Sequence, residues 1–500
     1  MPSSPPFPLK SFRQIKTYWA KNRVPFYFIS GTVFNLMNFD QWVRRFTFIP
    51  FIDVDDARNR AVFCPDTQGF TMFRSSEELV KYLLGHKSVI EKIARDRRGL
   101  PESEKKSQAL FLFFDSEVEE ICAQLGINRC MSGHKISKML DNKIVTTQLG
   151  NKVGVKSVPN VLAHVDSYKT LKRLAQIHHL SDALVVQTAY GDSGKTTYFI
   201  QNEDDYNHYR TYIERESQVK VMKRISCSSL AIEACATRCG TFVGPLMGEL
   251  IGVPSLTPFK GGWCGNDTNP RLFSDEIRTQ AQAMTVRLGN ALYKKGYKGC
   301  FEVDYLIDRE SGELYLGELN PRISGITALT TFSAKAPDML PLFLFHLMEH
   351  TDVEFDLDPE LFNKITRHRA SLSGGGQLIY KYTGHDLKMI DSAPVSGVYQ
   401  LDEKGMLILK TESTKREEAV GHNEVFLMRL MKEGEYAYKG CDLAILFVNT
   451  PLLGPKFGLT PAARRWISAV KMAYQIRPLT LEEQAIVDRY TNPGVRIKGG

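Results

Sequence analysis

Residues 301–308, FEVDYLID, and residues 314–322, LYLGELNPR, form the stretch whose reading decides this chain. Both segments are strand-like, and a turn at 308–313 joins them. Glu318 and Asn320 stand two apart at a strand end, so their side chains leave the same face. Asp304 lies on the preceding strand and can face them across the pair. Two carboxylates and one amide oxygen make a hard-oxygen site. That suits Mg²⁺, which takes one or two carboxylates and leaves its other positions to water and phosphate. Arg322 follows two residues on, and its planar fork can hold a phosphoryl oxygen bidentately. Glu302, two before Asp304, faces the same side and is a candidate second metal or substrate contact. The plainer alternative is a solvated hairpin with incidental acids, but GELNPR is a poor sequence for a bland turn.

Upstream, residues 26–29, 46–52, 61–64 and 109–114 are short apolar runs. Helical spacing at 75–84 and an amphipathic stretch at 118–125 separate them, and the charged stretch 95–106 is expected to be a loop. Buried runs of about 4–8 residues alternating with helices predict a mostly parallel sheet. Residues 183–189 (ALVVQTA), a polar glycine turn and residues 198–200 predict a hairpin. A charged helix at 204–216 follows, then two strands, 218–225 and 231–235, expected to pair. Residues 241–262, rich in Gly and Pro, are expected to form a loop layer. A long helix is predicted over 275–294 and a closing helix over 337–350. Short strands at 378–382, 397–401, 406–409 and 443–447, with a helix over 459–473, predict a small closing α+β unit.

These motifs together resemble the ATP-grasp superfamily, whose metal-binding signature places an acid on one strand and Glu-x-Asn-x-Arg on the next. The resemblance covers most of the chain. It implies an N-terminal α/β domain over 1–135 with a disordered tail at 1–10. An ATP-grasp domain over 136–350 with a lid near 155–230 follows, then a C-terminal α+β domain over 351–500. Asp141-Asn142-Lys143, then Val155-Lys156-Ser157-Val158-Pro159, looks like the entry into the lid. Lys143 then matches a lysine that holds ATP phosphates. The segment from Tyr190 to Thr197 looks like the glycine hairpin that folds over them. Gly191 and Gly194 let the backbone approach phosphate, Ser193 and Thr196 add hydroxyls, and Lys195 adds a charge. Gln187 stands where the superfamily usually offers a lysine, so Lys195 or Lys223 is expected to supply that charge. Lys223-Arg224-Ile225 resembles the interdomain segment that recognises adenine, with Met222 in place of its usual acidic neighbour.

Gly374-Gly375-Gly376-Gln377 and Pro394-Val395-Ser396-Gly397-Val398-Tyr399 resemble the biotin carboxylase-like branch. A true biotin carboxylase carries a glutamate four residues after the arginine, and here that position is Ile326. Ser324 and Gly325 instead resemble enzymes that join a carboxylate to an amine. The resemblance thus implies an ADP-producing ligase that makes an amide through an acyl phosphate. ATP and Mg²⁺ are implied, with Mn²⁺ as an alternative. Arg322 and Lys195 are implied as catalytic, and Ser324 and Gly325 as substrate contacts. Apart from the resemblance, Glu302 on its strand face and Lys260 in the Gly-rich loop layer are candidate substrate contacts, with a packing loop the alternative for Lys260. A biotin-dependent carboxylase subunit and a non-catalytic nucleotide-binding protein are the alternatives.

The composition agrees with a folded, multi-domain chain. Of 500 residues, 43% are apolar and 24% charged, which excludes global disorder. Lys plus Arg is 64 and Asp plus Glu is 56, an excess of +8 that selects no partner class. The most apolar run, 339–348, is broken by Pro341 and His346 and falls far short of the ~20 residues that span a bilayer. The nine scattered cysteines are expected to be reduced thiols of a cytoplasmic protein. The N-terminus lacks the apolar core of a secretory signal. Arg464-Arg465 beside Trp466 reads as a solvated helix face, not a nucleic-acid site. The expected substrates are small carboxylates and amines, amino acid or peptide-like, with a homodimer expected from the branch.

Overall fold

The computed structural model describes residues 5, 7–54, 58–66, 73–191, 196–333, 339–370 and 374–491. Its architecture is mixed α/β and α+β, built on four sheets.

The first sheet holds β1 (Phe26–Ser30), β2 (Phe46–Pro50), β3 (Gln108–Phe111) and β4 (Asn128–Arg129), all parallel, in the order β2-β1-β3-β4. Every residue of β1 is buried, as expected for a parallel strand covered on both faces. Helices Ser76–Gly85 and Ser116–Gln124 begin on Ser75 and Asp115, whose side chains accept from the N–H groups of Glu78 and Val118. The stretch expected as a loop at 95–106 instead carries the end of helix Lys87–Asp96 and a short helix, Glu102–Lys105. Ile93 of the first is buried, and tertiary packing overrides the charged composition. Residues 61–64 contribute only an isolated bridge between Phe48 and Val62. Of the tail expected to be disordered, residues 1–4 and 6 lie outside the described residues. Leu9 is buried and bridges Phe355, so the N-terminal segment is tied down there.

The lid sheet holds β5 (Asn160–Ala163), β6 (Leu184–Gln187), β7 (Thr197–Ile200) and β8 (Val219–Lys223), in the antiparallel order β5-β8-β6-β7. Alternation divides its two faces. Leu184, Val186, Val219 and Val221 pack into a core with Leu171 and Ile213 of helices Tyr168–Ile177 and Glu203–Glu214. Val185 and Met222 point the other way and pack against Val158 and Tyr315.

The third sheet has ten strands: β9 (Cys227–Thr237), β10 (Gly240–Ile251), β11 (Trp263–Asp267), β12 (Gly299–Asp308), β13 (Leu314–Asn320), β14 (Gly376–Lys381), β16 (Gly397–Leu401), β17 (Leu407–Glu412), β18 (Glu424–Arg429) and β20 (Asp442–Val448). Its order is β13-β12-β9-β10-β11-β14-β20-β18-β16-β17. Two sequence expectations fail here. The strands foreseen at 218–225 and 231–235 do not pair with each other: β8 belongs to the lid, and β9 lies between β10 and β12. The foreseen loop at 241–262 contains the 12-residue strand β10, buried along most of its length. Its Gly and Pro residues suit close approach inside the sheet: a Cβ on Gly244 would meet the Glu233 carbonyl at 3.0 Å. The sheet also runs without a break from β11 into β14, across position 351.

Leu230, Ile232, Ala234, Val303, Tyr305 and Leu319 face helix Asp275–Lys294, which supplies Met284 and Leu288 to that core. The opposite face of β9, β10, β12 and β13 carries the polar residues. A small sheet of β15 (Lys388–Ser392), β19 (Tyr436–Ala437) and β21 (Gln475–Arg477), with helix Pro461–Ala473, completes the C-terminal part. Trp466 packs inward from that helix while Arg464 and Arg465 are exposed. All nine cysteines are free thiols. No helix among the described residues is long and apolar enough to cross a membrane.

Candidate active site

The hairpin of β12 and β13 sets the register of the polar face. Glu302 pairs with Asn320, and Asp304 with Glu318. Asn320 Nδ2 donates to Asp304 Oδ2 at 3.3 Å and to Glu302 Oε2 at 3.4 Å. A bulge then leaves Gly317 without a partner, because Tyr305 is opposite Leu316. The bulge shifts the alternation by one, so Tyr315 faces the same cleft as Glu318 although they are three apart. Sequence spacing misses Tyr315 for that reason.

A third strand adds an acid that the hairpin motif does not contain. Glu249 on β10, Glu302 and Asp304 bring ligand oxygens within 4.8 Å of one another. Ala231 of β9 pairs with Met247 on one side and Asp304 on the other. The metal set expected from the sequence is Asp304, Glu318 and Asn320. Among the described residues, the carboxylates that come together in a group of three are Glu249, Glu302 and Asp304. Burial raises the pKa of all three, and the neighbouring carboxylates raise it further, Glu302 and Glu318 acting on Glu249 and Asp304. Asp304 Oδ1 is buried with no hydrogen-bond partner. Crowded, desolvated carboxylates with an orphaned oxygen fit a divalent cation, which supplies the missing positive charge. The amide of Asn320 would turn its oxygen to the same place.

The cations gather beside these acids. Lys143 begins helix Lys143–Lys152, whose N-cap Asn142 accepts from the N–H groups of Ile144 and Val145. Its side chain is 4% exposed, and Nζ donates to Glu318 Oε1 at 2.7 Å and to the Gly191 carbonyl at 2.5 Å. One lysine thus ties the core strand to the base of the glycine hairpin. Arg322 lies with its guanidinium 5.0 Å from the Phe113 ring, and its Nε is buried without an acceptor. Its charge favours the ionised forms of Glu302 and Asp304. Lys220 of β8 is 1% exposed and close enough to feel both Glu318 and Lys143.

The hairpin residues are divided. Gly191 has φ +142°, and a Cβ there would meet Thr196 Oγ1 at 2.2 Å, so only glycine fits. Gln187 Nε2 donates to Thr197 Oγ1 at 3.1 Å. Ser193, Gly194 and Lys195 lie outside the described residues. Lys223 is exposed at the end of β8, and its N–H is bound to the Pro159 carbonyl at 3.0 Å. It is therefore not brought to the acids. Met222, Val185, Val158 and Tyr315, flanked by Ile225 and Leu306, pack into a small apolar cluster between lid and core.

On the far side of Arg322, the Ser324 carbonyl accepts from Asn35 Nδ2 at 2.8 Å, tying this loop to the segment after β1. Ser324 N–H donates to Thr327 Oγ1 at 3.1 Å, and Thr327 Oγ1 in turn donates to Glu233. Burial pushes Glu233 up to about 7. Gly325 lies against Trp263, where a Cβ would come within 2.5 Å of the ring. Ile326 is fully buried among Ala231, Met247 and Leu329. Lys260 is exposed in a turn closed by the Gly252 N–H on the Gly262 carbonyl at 2.8 Å, with no bond to the acids.

A lid sheet beside a core sheet that carries the acids is the ATP-grasp fold, and the chain has it. The solved structures it resembles include biotin carboxylase from Campylobacter jejuni in its β-γ-ATP complex. That match has a TM-score of 0.57 and 13% identity and covers 94% of this chain and 96% of that one. Another is the biotin carboxylase domain dimer of Hydrogenobacter thermophilus 2-oxoglutarate carboxylase, solved with MgADP, ADP and bicarbonate. Its TM-score is 0.56 at 12% identity, covering 94% of each chain. A third is carboxyaminoimidazole ribonucleotide synthase from Aspergillus clavatus with ATP, at TM-score 0.52 and 13% identity, covering 90% of this chain and 99% of that one. No protein-family model and no curated protein matches the sequence.

Proposed function

We propose that this protein is an ATP- and Mg²⁺-dependent ligase that joins a small carboxylate to an amine and releases ADP and phosphate. The observation that carries the reading is the convergence of Glu249, Glu302, Asp304, Glu318 and Asn320 beside Lys143 and the hydrogen-bond-free guanidinium nitrogen of Arg322. Asp304, Glu302 and Glu318, with Asn320 and Glu249, would hold Mg²⁺. The ion supplies charge neutralisation along the phosphate chain. Lys143 gives the phosphates a cation already buried and positioned. The adenine ring would pack against the apolar side chains of Val185, Met222 and Tyr315.

The substrate carboxylate takes the terminal phosphoryl group and becomes an acyl phosphate, and ADP is the leaving group. The amine nitrogen then attacks the acyl carbon, phosphate leaves, and the amine gives up a proton. Arg322 orients the phosphoryl oxygens in both steps through its fork. Ser324 and the close-packed Gly325 shape the adjoining wall, where the carboxylate sits. The burial of Ile326 supports this reading over a biotin carboxylase, because no base stands at that position.

Trapping with hydroxylamine tests the proposal. The full chain, ATP and Mg²⁺ are incubated with a panel of acids that includes amino acids, dipeptides and bicarbonate. One acid should give an ATP-dependent hydroxamate, and its matching amine an amide. Bicarbonate-dependent hydrolysis stimulated by free biotin, with no hydroxamate from any acid, would reverse the ranking in favour of the carboxylase. Tight ATP binding with no turnover on any pair would favour the non-catalytic reading.

A further inference from the structure

Gln187 and Lys220 are paired directly across β6 and β8, so their side chains stand together on one face of the lid sheet. That face is the one carrying Val185 and Met222 towards Tyr315. Lys220 is 1% exposed, and among the described residues its amine takes part in no hydrogen bond or ion pair. Glu318 favours its ammonium form and Lys143 opposes it, so Lys220 stands near the Lys143–Glu318 pair. Burial pushes its pKa down to about 8. A lysine stripped of water and given no direct hydrogen bond or ion pair is costly to the fold. Gln187, its neighbour, offers no charge, and its amide is committed to Thr197. Lys223, three residues on, is exposed at the strand end.

We propose that Lys220 is the lid's cationic contact to the polyphosphate of a bound nucleoside di- or triphosphate, acting from β8 beside the neutral Gln187. The assignment rests on the ATP reading above and adds a residue to it. The anionic chain supplies the counter-charge that the protein withholds. Cross-strand neighbours lie about 5 Å apart, within the reach of a lysine arm, so either position on this row serves the same phosphates. An adenosine moiety against the apolar side chains of Val185 and Met222 makes no contact with the ammonium, and the effect of Lys220 should scale with phosphate number.

Calorimetric titration of the full chain with ATP, ADP and AMP tests this, using wild type, Lys220→Met and the double variant Lys220→Met/Gln187→Lys. Lys220→Met should weaken ATP about 10- to 100-fold, as for loss of a hydrogen bond to a charged group, and leave AMP within about twofold. The double variant should regain most of the lost ATP affinity, because the charge returns to the same row. The Lys220→Met melting temperature should equal or exceed that of wild type, since an unpaired buried cation becomes an apolar chain of similar length. Unchanged ATP affinity, an equal loss for ATP and AMP, or a lowered melting temperature with no rescue would each overturn the assignment while ATP binding by wild type stands. A wild type that binds no ATP would overturn the ATP reading itself, and this assignment with it.

Discussion

Lys143 Nζ and Glu318 Oε1 are 2.7 Å apart, one at the start of a helix, the other on a core strand 175 residues away. Glu318 is directly opposite Asp304, yet it is the lysine that holds its carboxylate. The pair is mostly buried, at 4% and 28% exposure, so each partner depends on the other for its charge balance. An anion and a cation bound at this point, as proposed above, would exchange one set of partners for another.

Glu318→Gln keeps the volume and removes the charge. ATP turnover should fall about 100-fold or more, and the apo protein should lose about 1–2 kcal/mol because Lys143 is left buried and unpaired. Coupled detection of ADP and phosphate, with denaturant unfolding, measures both. Near-normal turnover, or AMP and pyrophosphate as wild-type products, would remove Glu318 from the site.

Arg322→Lys retains a cation but loses the fork. With Nε buried and unbonded, a point charge cannot reproduce its direction. The expected result is a fall in kcat of about 100-fold with the KM for ATP little changed, the pattern of an interaction made in the transition state. An increase in KM alone would make Arg322 a simple binding residue.

Gly325→Ala places a methyl group within 2.5 Å of the Trp263 six-membered ring. Overpacking of this kind costs about 1–3 kcal/mol, and the Ser324 loop should shift with it. Trp263→Phe removes the ring atoms in conflict, so a double-mutant cycle should show strong coupling. Additive effects on stability would mean that the two residues do not restrain each other.

Glu249 is pushed up to about 8 from an ordinary 4.5, by burial first and then by Glu302 and Glu318. A group raised in this way contributes stability that is fully present below pH 4.5 and lost as pH rises to about 8. Glu249→Gln removes the titration. Without metal, its gain in melting temperature over wild type should be near zero at about pH 5 and roughly 2–4 °C at about pH 8. Millimolar Mg²⁺ should shrink the gain by neutralising the carboxylates. Scanning calorimetry at the two pH values decides the matter, and an equal gain at both would place Glu249 outside the acid group.

Asp304, Glu302, Glu318 and Asn320 are legible in the sequence because a single hairpin holds them. Strand alternation and a short turn determine which side chains meet, with no help from the rest of the chain. The long helix Asp275–Lys294 and the N-terminal parallel sheet are legible for the same kind of reason, their periodicity being local. Glu249 and Lys220 are not. Alternation says which face a side chain takes within its strand, but not which strand lies beside it. Glu249 comes near Asp304 only through the strand order, with β9 lying between β10 and β12. Lys220 meets Gln187 only through the register of β8 on β6, and its burial comes from the closure of lid on core. Strand order and register are settled by how whole elements pack, so only the tertiary structure decided that these two residues join the hairpin's acids.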